Sequence, residues 1–150
     1  MTYLLIAFVV ALALAPLSHF VPSKRQRAVA GMREYAAVHG LYVEFRNLPG
    51  QKSTPGPAVH KGDIIYYGKR LPTRVRTPVQ PCSWLFRAGE WRSLNTRIAA
   101  PVAFTDLPPQ VLGASVDEVS CGVYWDESGG QDAVEQITRA LDVWSRELVG

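Results

Sequence analysis

The chain opens on 19 uncharged residues, Tyr3 to Val21 (YLLIAFVVALALAPLSHFV), apolar at almost every position. The run has no polar face, and about 20 apolar residues is what a helix needs to cross the ~30 Å core of a bilayer. The pattern then changes. From Lys24 to His39, Ala28, Met32, Tyr35, Ala36 and His39 recur at spacings of three and four. That period predicts a helix capped by Ser23 and stopped by Gly40, with Arg33 and Glu34 facing out. Leu41, Val43 and Phe45 then alternate with polar residues, the pattern of a strand with one buried face. Asp63 to Tyr67 reads as a second strand. A hairpin joins Cys82–Arg87 to Trp91–Leu94 around Ala88-Gly89-Glu90, with Trp84 and Phe86 on one face and Trp91 across from them. Leu107 to Gly113 reads as a proline-started turn of helix. Val119, Cys121, Val123 and Trp125 alternate as a strand in which Gly122 lets a neighbour approach closely. Val134, Ile137, Leu141, Trp144 and Leu148 place an apolar stripe along a helix from Gln131 to Leu148.

These elements predict an α+β protein: an N-terminal transmembrane helix, then a small domain with a mostly antiparallel sheet of four or five strands and two flanking helices. The expected organisation is an anchor over residues 1–22, an amphipathic helix over 23–40 and the α+β domain over 41–150. Two stretches interrupt it. Residues 50–59 (GQKSTPGPAV) read as a loop, and Thr73 to Thr77, bounded by Pro72 and Pro78, reads as an edge strand or a polyproline-like path.

The flanks give the first run a direction. Lys24, Arg25 and Arg27 follow it and no basic side chain precedes it, so the excess of cations places the carboxyl side in the cytoplasm. Ala13-Leu14-Ala15 has the form of a signal-peptide cleavage site. However, Pro16 directly after it and the apolar residues Leu17, Phe20 and Val21 beyond it favour an uncleaved anchor. His19 then lies at headgroup level. The expected location is the inner (plasma) membrane, single-pass, with the N-terminus outside and the domain in the cytoplasm.

Charge divides the remainder. Residues 69–97 carry seven cations against one acid, and residues 106–147 carry nine acids against two cations, within a net charge of +3. Lys69, Arg70, Arg74 and Arg76 form the densest basic group. Lipid headgroups or an acidic protein partner suit it better than nucleic acid, because Trp84, Phe86 and Trp91, the aromatics beside it, sit at alternating core positions. Lys24, Arg25 and Arg27 are the expected membrane-interface residues. Two cysteines, Cys82 and Cys121, are too few for a disulfide scaffold, and the alternatives are a buried reduced pair, a disulfide or a reactive thiol.

No catalytic constellation accompanies these features. His19, His39 and His60 are not at metal-ligand spacing, neither cysteine completes a zinc set, and no phosphate-binding glycine loop or nucleophile elbow occurs. Asp126-Glu127, in a loop after a strand, is a carboxylate pair that could bind a metal or work as acid and base, and loop acids are usually solvated. No cofactor and no metal are expected.

The span Tyr3–Val21, the basic segment Pro22-Ser23-Lys24-Arg25-Gln26-Arg27 and the strand Lys61-Gly62-Asp63-Ile64-Ile65 together resemble YajC, the accessory subunit of the preprotein translocase. The resemblance covers about 30 residues. It implies an outside N-terminus, one span, a basic juxtamembrane helix and a small cytoplasmic β-rich domain, and it carries no functional residue over. The expected function is a non-enzymatic, membrane-anchored accessory subunit that docks on a larger membrane protein complex, with the lipid bilayer as a second partner. The alternatives are a membrane-tethered enzyme or ligand-binding domain with a pocket near Asp126 or Cys121, and an extracytoplasmic domain with a Cys82–Cys121 disulfide.

Overall fold

A computed structural model describes residues 1–51, 64–73, 78–95 and 98–150, apart from the side chains of Ser18 and His19. The 50–59 loop beyond Gln51, His60, the Lys61-Gly62-Asp63 motif, Arg74 and Arg76 lie outside the described residues.

Helix α1 spans Thr2–Leu14, and a short 3-10 helix over Ala15–Phe20, with Pro16 in its first turn, continues the chain. Helix α2 (Lys24–Val38) begins at a capping box: the Ser23 hydroxyl accepts from the Gln26 N–H, and the Gln26 side chain accepts from the Ser23 N–H. These bonds satisfy two helix-terminal donors that water would otherwise have to serve. Gly40, at φ +79°, turns the chain out of α2 into the sheet in a conformation that favours glycine.

The sheet has six strands: β1 (Leu41–Phe45), β2 (Ile65–Arg70), β3 (Cys82–Arg87), β4 (Glu90–Ser93), β5 (Val111–Val116) and β6 (Ser120–Trp125), with a 3-10 helix over Val102–Asp106 and helix α3 over Gly130–Val149. The strands lie in the order β1-β2-β6-β5-β3-β4, every neighbouring pair antiparallel. The expected four or five strands are therefore six. The addition is β5, where a proline-started helical turn was predicted. A bulge between Val111 and Gly113 breaks the alternation there, and Gly113, Ala114 and Ser115 carry too little side chain to display a period.

Alternate residues send their side chains to opposite faces. On one face Ile65, Tyr67, Trp84, Val111, Ala114, Val123 and Trp125 pack against Met32 and Ala36 of α2 and Val134, Ile137, Leu141 and Trp144 of α3. The stripe on α3 thus buries as its spacing predicts. Trp84, Phe104 and Trp144 meet edge to face with ring centres 4.9–5.8 Å apart. On the other face Tyr66, Tyr124, Leu48 and Leu85 form a smaller buried cluster.

The transmembrane expectation is corrected. Among the described residues no helix is long and apolar enough to cross a membrane. Helix α1 has 13 residues, about 20 Å at 1.5 Å per residue, against the ~30 Å of a bilayer core. The 19-residue apolar run matched the required length, but Pro16 marks where α-helical geometry gives way to the tighter 3-10 form. The single-pass inner-membrane placement and the topology drawn from it fall with the span.

Candidate functional site

Helix α1 stands exposed along its whole length. No residue of α1 is buried, and its apolar side chains cover every face of the helix, including Leu5, Phe8, Val9 and Leu12. Beyond the C-terminal end of the apolar run stand Lys24, Arg25 and Arg27, all exposed on the first turns of α2 and without an ion pair among the described residues. Cations at a helix N-terminus oppose the helix dipole. Their position therefore does nothing for α2 itself, and the capping box holds that end instead. The structure thus keeps the predicted interface group together on one exposed turn beside an exposed apolar helix.

The second predicted group does not stay together. Lys69 and Arg70 are adjacent in β2 and point to opposite faces. Lys69 Nζ donates to Asp142 Oδ1 and ties β2 to α3. Arg70 lies on the other side, its guanidinium 5.7 Å from the Tyr42 ring centre. Arg74 and Arg76 are outside the described residues.

A polar cluster that the sequence gives no sign of joins α2 to the connection between β6 and α3. Arg33 turns inward rather than out. Its Nε and Nη2 donate to the two carboxylate oxygens of Glu127, each at 2.8 Å, and the Tyr67 hydroxyl donates to Glu127 Oε1 at 2.8 Å. Only 7% of the Glu127 side chain is exposed, and its backbone holds φ +54°, a conformation uncommon outside glycine. The bonded carboxylate raises the Arg33 pKa further, and burial followed by the same carboxylate raises that of Tyr67. Both shifts hold the protons where they are, so this arrangement is a lock and not a proton relay. Its neighbour Asp126 accepts from the Ser128 N–H and hydroxyl and serves the loop. The expected loop carboxylate pair therefore divides into one buried ion-pair partner and one turn-former.

The tyrosines of the second sheet face rest on glycine. Gly68 and Gly122 face each other across β2 and β6. A Cβ at Gly68 would stand 2.5 Å from the Tyr42 ring, and one at Gly122 2.5 Å from the Tyr66 hydroxyl. The close approach expected at Gly122 is thus made by Tyr66, over whose ring Arg46 lies at 4.2 Å.

Cys82 and Cys121 are both buried and are not joined to each other. Cys82 is level with Val116, and Val116 with Cys121, so β5 runs between them. Two strand spacings, roughly 9.5 Å, exceed the ~7 Å within which a disulfide closes. Burial pushes the Cys121 thiol up to about 12, away from the reactive thiolate. His39 donates from Nδ1 to the Tyr35 carbonyl and stacks on the Tyr35 ring as part of the helix end. Among the described residues no three His, Cys, Asp or Glu side chains group to hold a metal. A cavity of about 570 Å³ opens beside β4, lined by Phe86, Trp91, Pro101, Phe104, Leu107 and Pro108 among others. Asp126 and Cys121 are not part of its lining.

No known protein family, no curated protein and no solved structure matches this chain.

Proposed function

We propose that the protein is a non-enzymatic accessory subunit that docks on a larger protein complex through α1. The observation that carries this reading is a helix, apolar on every face, that has no buried residue and no packing partner among the described residues. A helix of this kind is at rest only when apolar material surrounds it. Its 13 residues are too short to span a bilayer alone, which favours an apolar cleft of a larger protein as the surround. Lys24, Arg25 and Arg27 stand at the mouth of that cleft, where acidic side chains of the partner meet them. A translocase accessory of YajC type is the narrower form of this reading, supported by the order of apolar segment followed by basic helix.

Purification of the full chain from its native host in mild detergent tests the proposal. The expected result is a defined partner in fixed stoichiometry that is lost when Leu5 and Val9 are replaced by Glu while the α+β domain stays folded. A partner retained by that variant, or a chain that binds protein-free vesicles and co-purifies with no protein, would contradict it.

A further inference from the structure

Two stretches of chain build the cavity beside β4. The β3–β4 hairpin supplies Phe86 and Trp91, paired across the strands with ring centres 5.2 Å apart. The 3-10 helix over Val102–Asp106 and the chain after it supply Phe104, Leu107 and Pro108. Phe104 ties the two walls together. Its ring centre lies 4.6 Å from that of Trp91, and Trp84 and Trp144 of the core hold it edge to face at 5.5 and 4.9 Å. Backbone bonds fix the second wall: the N–H groups of Phe104, Leu107 and Val111 donate to the carbonyls of Pro101, Phe104 and Pro108. Both prolines add stiffness, since their rings fix one backbone angle each. A ligand therefore meets walls that are already in place, and little of its binding free energy is lost to ordering them.

Shape and depth select the size of the occupant. The volume is about 570 Å³, within the roughly 300–1,000 Å³ of small-molecule sites. Phe104 and Val111 line the cavity but are only 4% and 1% exposed, whereas Val102, at 81%, lies on its open side. The surface of a folded partner would touch the rim around Val102. A molecule small enough to enter reaches the floor.

The lining selects the chemistry. Among the described residues it includes no charged side chain. The charged residues of the hairpin, Arg87, Glu90 and Arg92, alternate with Phe86 and Trp91 and project from the opposite face. An ion that leaves water here meets no opposite charge, so carboxylates, phosphates and ammonium groups are disfavoured. Aromatic rings attract further rings in offset or edge-on arrangements beyond what apolar area alone provides, which favours a planar ring system over an alkyl chain.

We propose that this cavity is a binding site for an uncharged, planar aromatic small molecule. None of the lining residues belongs to α1, so the site does not depend on the docking role proposed above.

The test is a titration of the full chain with naphthol and, separately, with naphthalenesulfonate, which adds a negative charge to the same ring system. The indole N–H signals of the four tryptophans are followed by NMR. Naphthol is expected to bind saturably and to shift the Trp91 signal most, and naphthalenesulfonate to bind about tenfold more weakly or worse. Val102→Trp places a bulky ring at the open side, where it disturbs no packed core. It should weaken naphthol about tenfold or more with the unfolding midpoint unchanged. Val119→Trp, at an exposed position in the β5–β6 turn, should leave binding as it is, and so should Leu5→Glu combined with Val9→Glu on α1. The proposal is overturned by any of four results: no saturable shift at Trp91, as when another copy or another part of the chain fills the cavity; equal affinity for the sulfonate; binding indifferent to Val102→Trp; or binding lost with the α1 variant.

Discussion

Adding one methyl group has opposite effects at two glycines. At Gly122 a Cβ falls against the Tyr66 hydroxyl and the Tyr67 carbonyl, and the latter belongs to a sheet strand that has no room to shift. Gly122→Ala should cost about 1–3 kcal/mol of stability, read from urea unfolding. Gly31, inside α2, has nothing within 4 Å of its would-be Cβ. Gly31→Ala should stabilise by about 0.5–1 kcal/mol, because alanine loses less backbone freedom in a helix. The glycine approach is legible in the sequence from a glycine inside an alternating strand, but the identity of the ring that uses it is not. Strand register between β2 and β6 decides that, and it pairs residues far apart in the chain, from Ile65 with Trp125 to Arg70 with Ser120. Titration works at the same scale. Burial raises the Cys121 thiol from 9.0 to about 12, so above pH 9 the unfolded chain releases a proton that the folded chain keeps. Burial raises Tyr66 and Tyr67 from 10.0 in the same sense. Stability should therefore fall as pH rises from about 9. Urea midpoints at about pH 8 and about pH 11 check the sign, and Cys121→Ala should give the shallower decline.

Elements are held together by contacts of long sequence separation. The Arg33–Glu127 pair links α2 to the start of α3, and the carboxylate it serves is almost fully buried. Arg33→Met leaves that carboxylate with the Tyr67 hydroxyl alone and should cost about 1–3 kcal/mol, read from the same urea midpoints. Helical period on α2 places Arg33 outward because Met32 and Ala36 define the buried stripe. The side chain is long enough to reach round from the flank of that stripe, which periodicity does not register. Period serves well where one face is strongly apolar, as on α3, and poorly on β5, whose bulge and small residues erase alternation. The order of strands settles the cysteines. With β5 between Cys82 and Cys121, the folded chain should show two free thiols after mild oxidation and react with a thiol reagent only on unfolding. A Cys82–Cys121 bridge in the folded protein would contradict the register described here.

At the scale of the whole molecule, the basic and acidic parts of the chain meet inside one fold. Lys69 pairs with Asp142 and Arg33 with Glu127, so part of the charge polarity seen along the sequence is internal. What remains outside is the apolar helix α1 and the cations at the start of α2, which have no ion pair among the described residues. Hydropathy reports how apolar a segment is and not where its helical geometry ends, which is why a run of spanning length becomes a helix too short to cross. Apolarity without an internal partner is the property that survives the correction, and the docking role rests on it. The most direct measurement is photocrosslinking in the native host from a reactive group placed at Phe8 of the full chain. The account predicts one defined protein adduct, absent when the group is placed at the exposed Glu118 in the β5–β6 turn. Adducts to lipid alone, or to many proteins without preference, would contradict it.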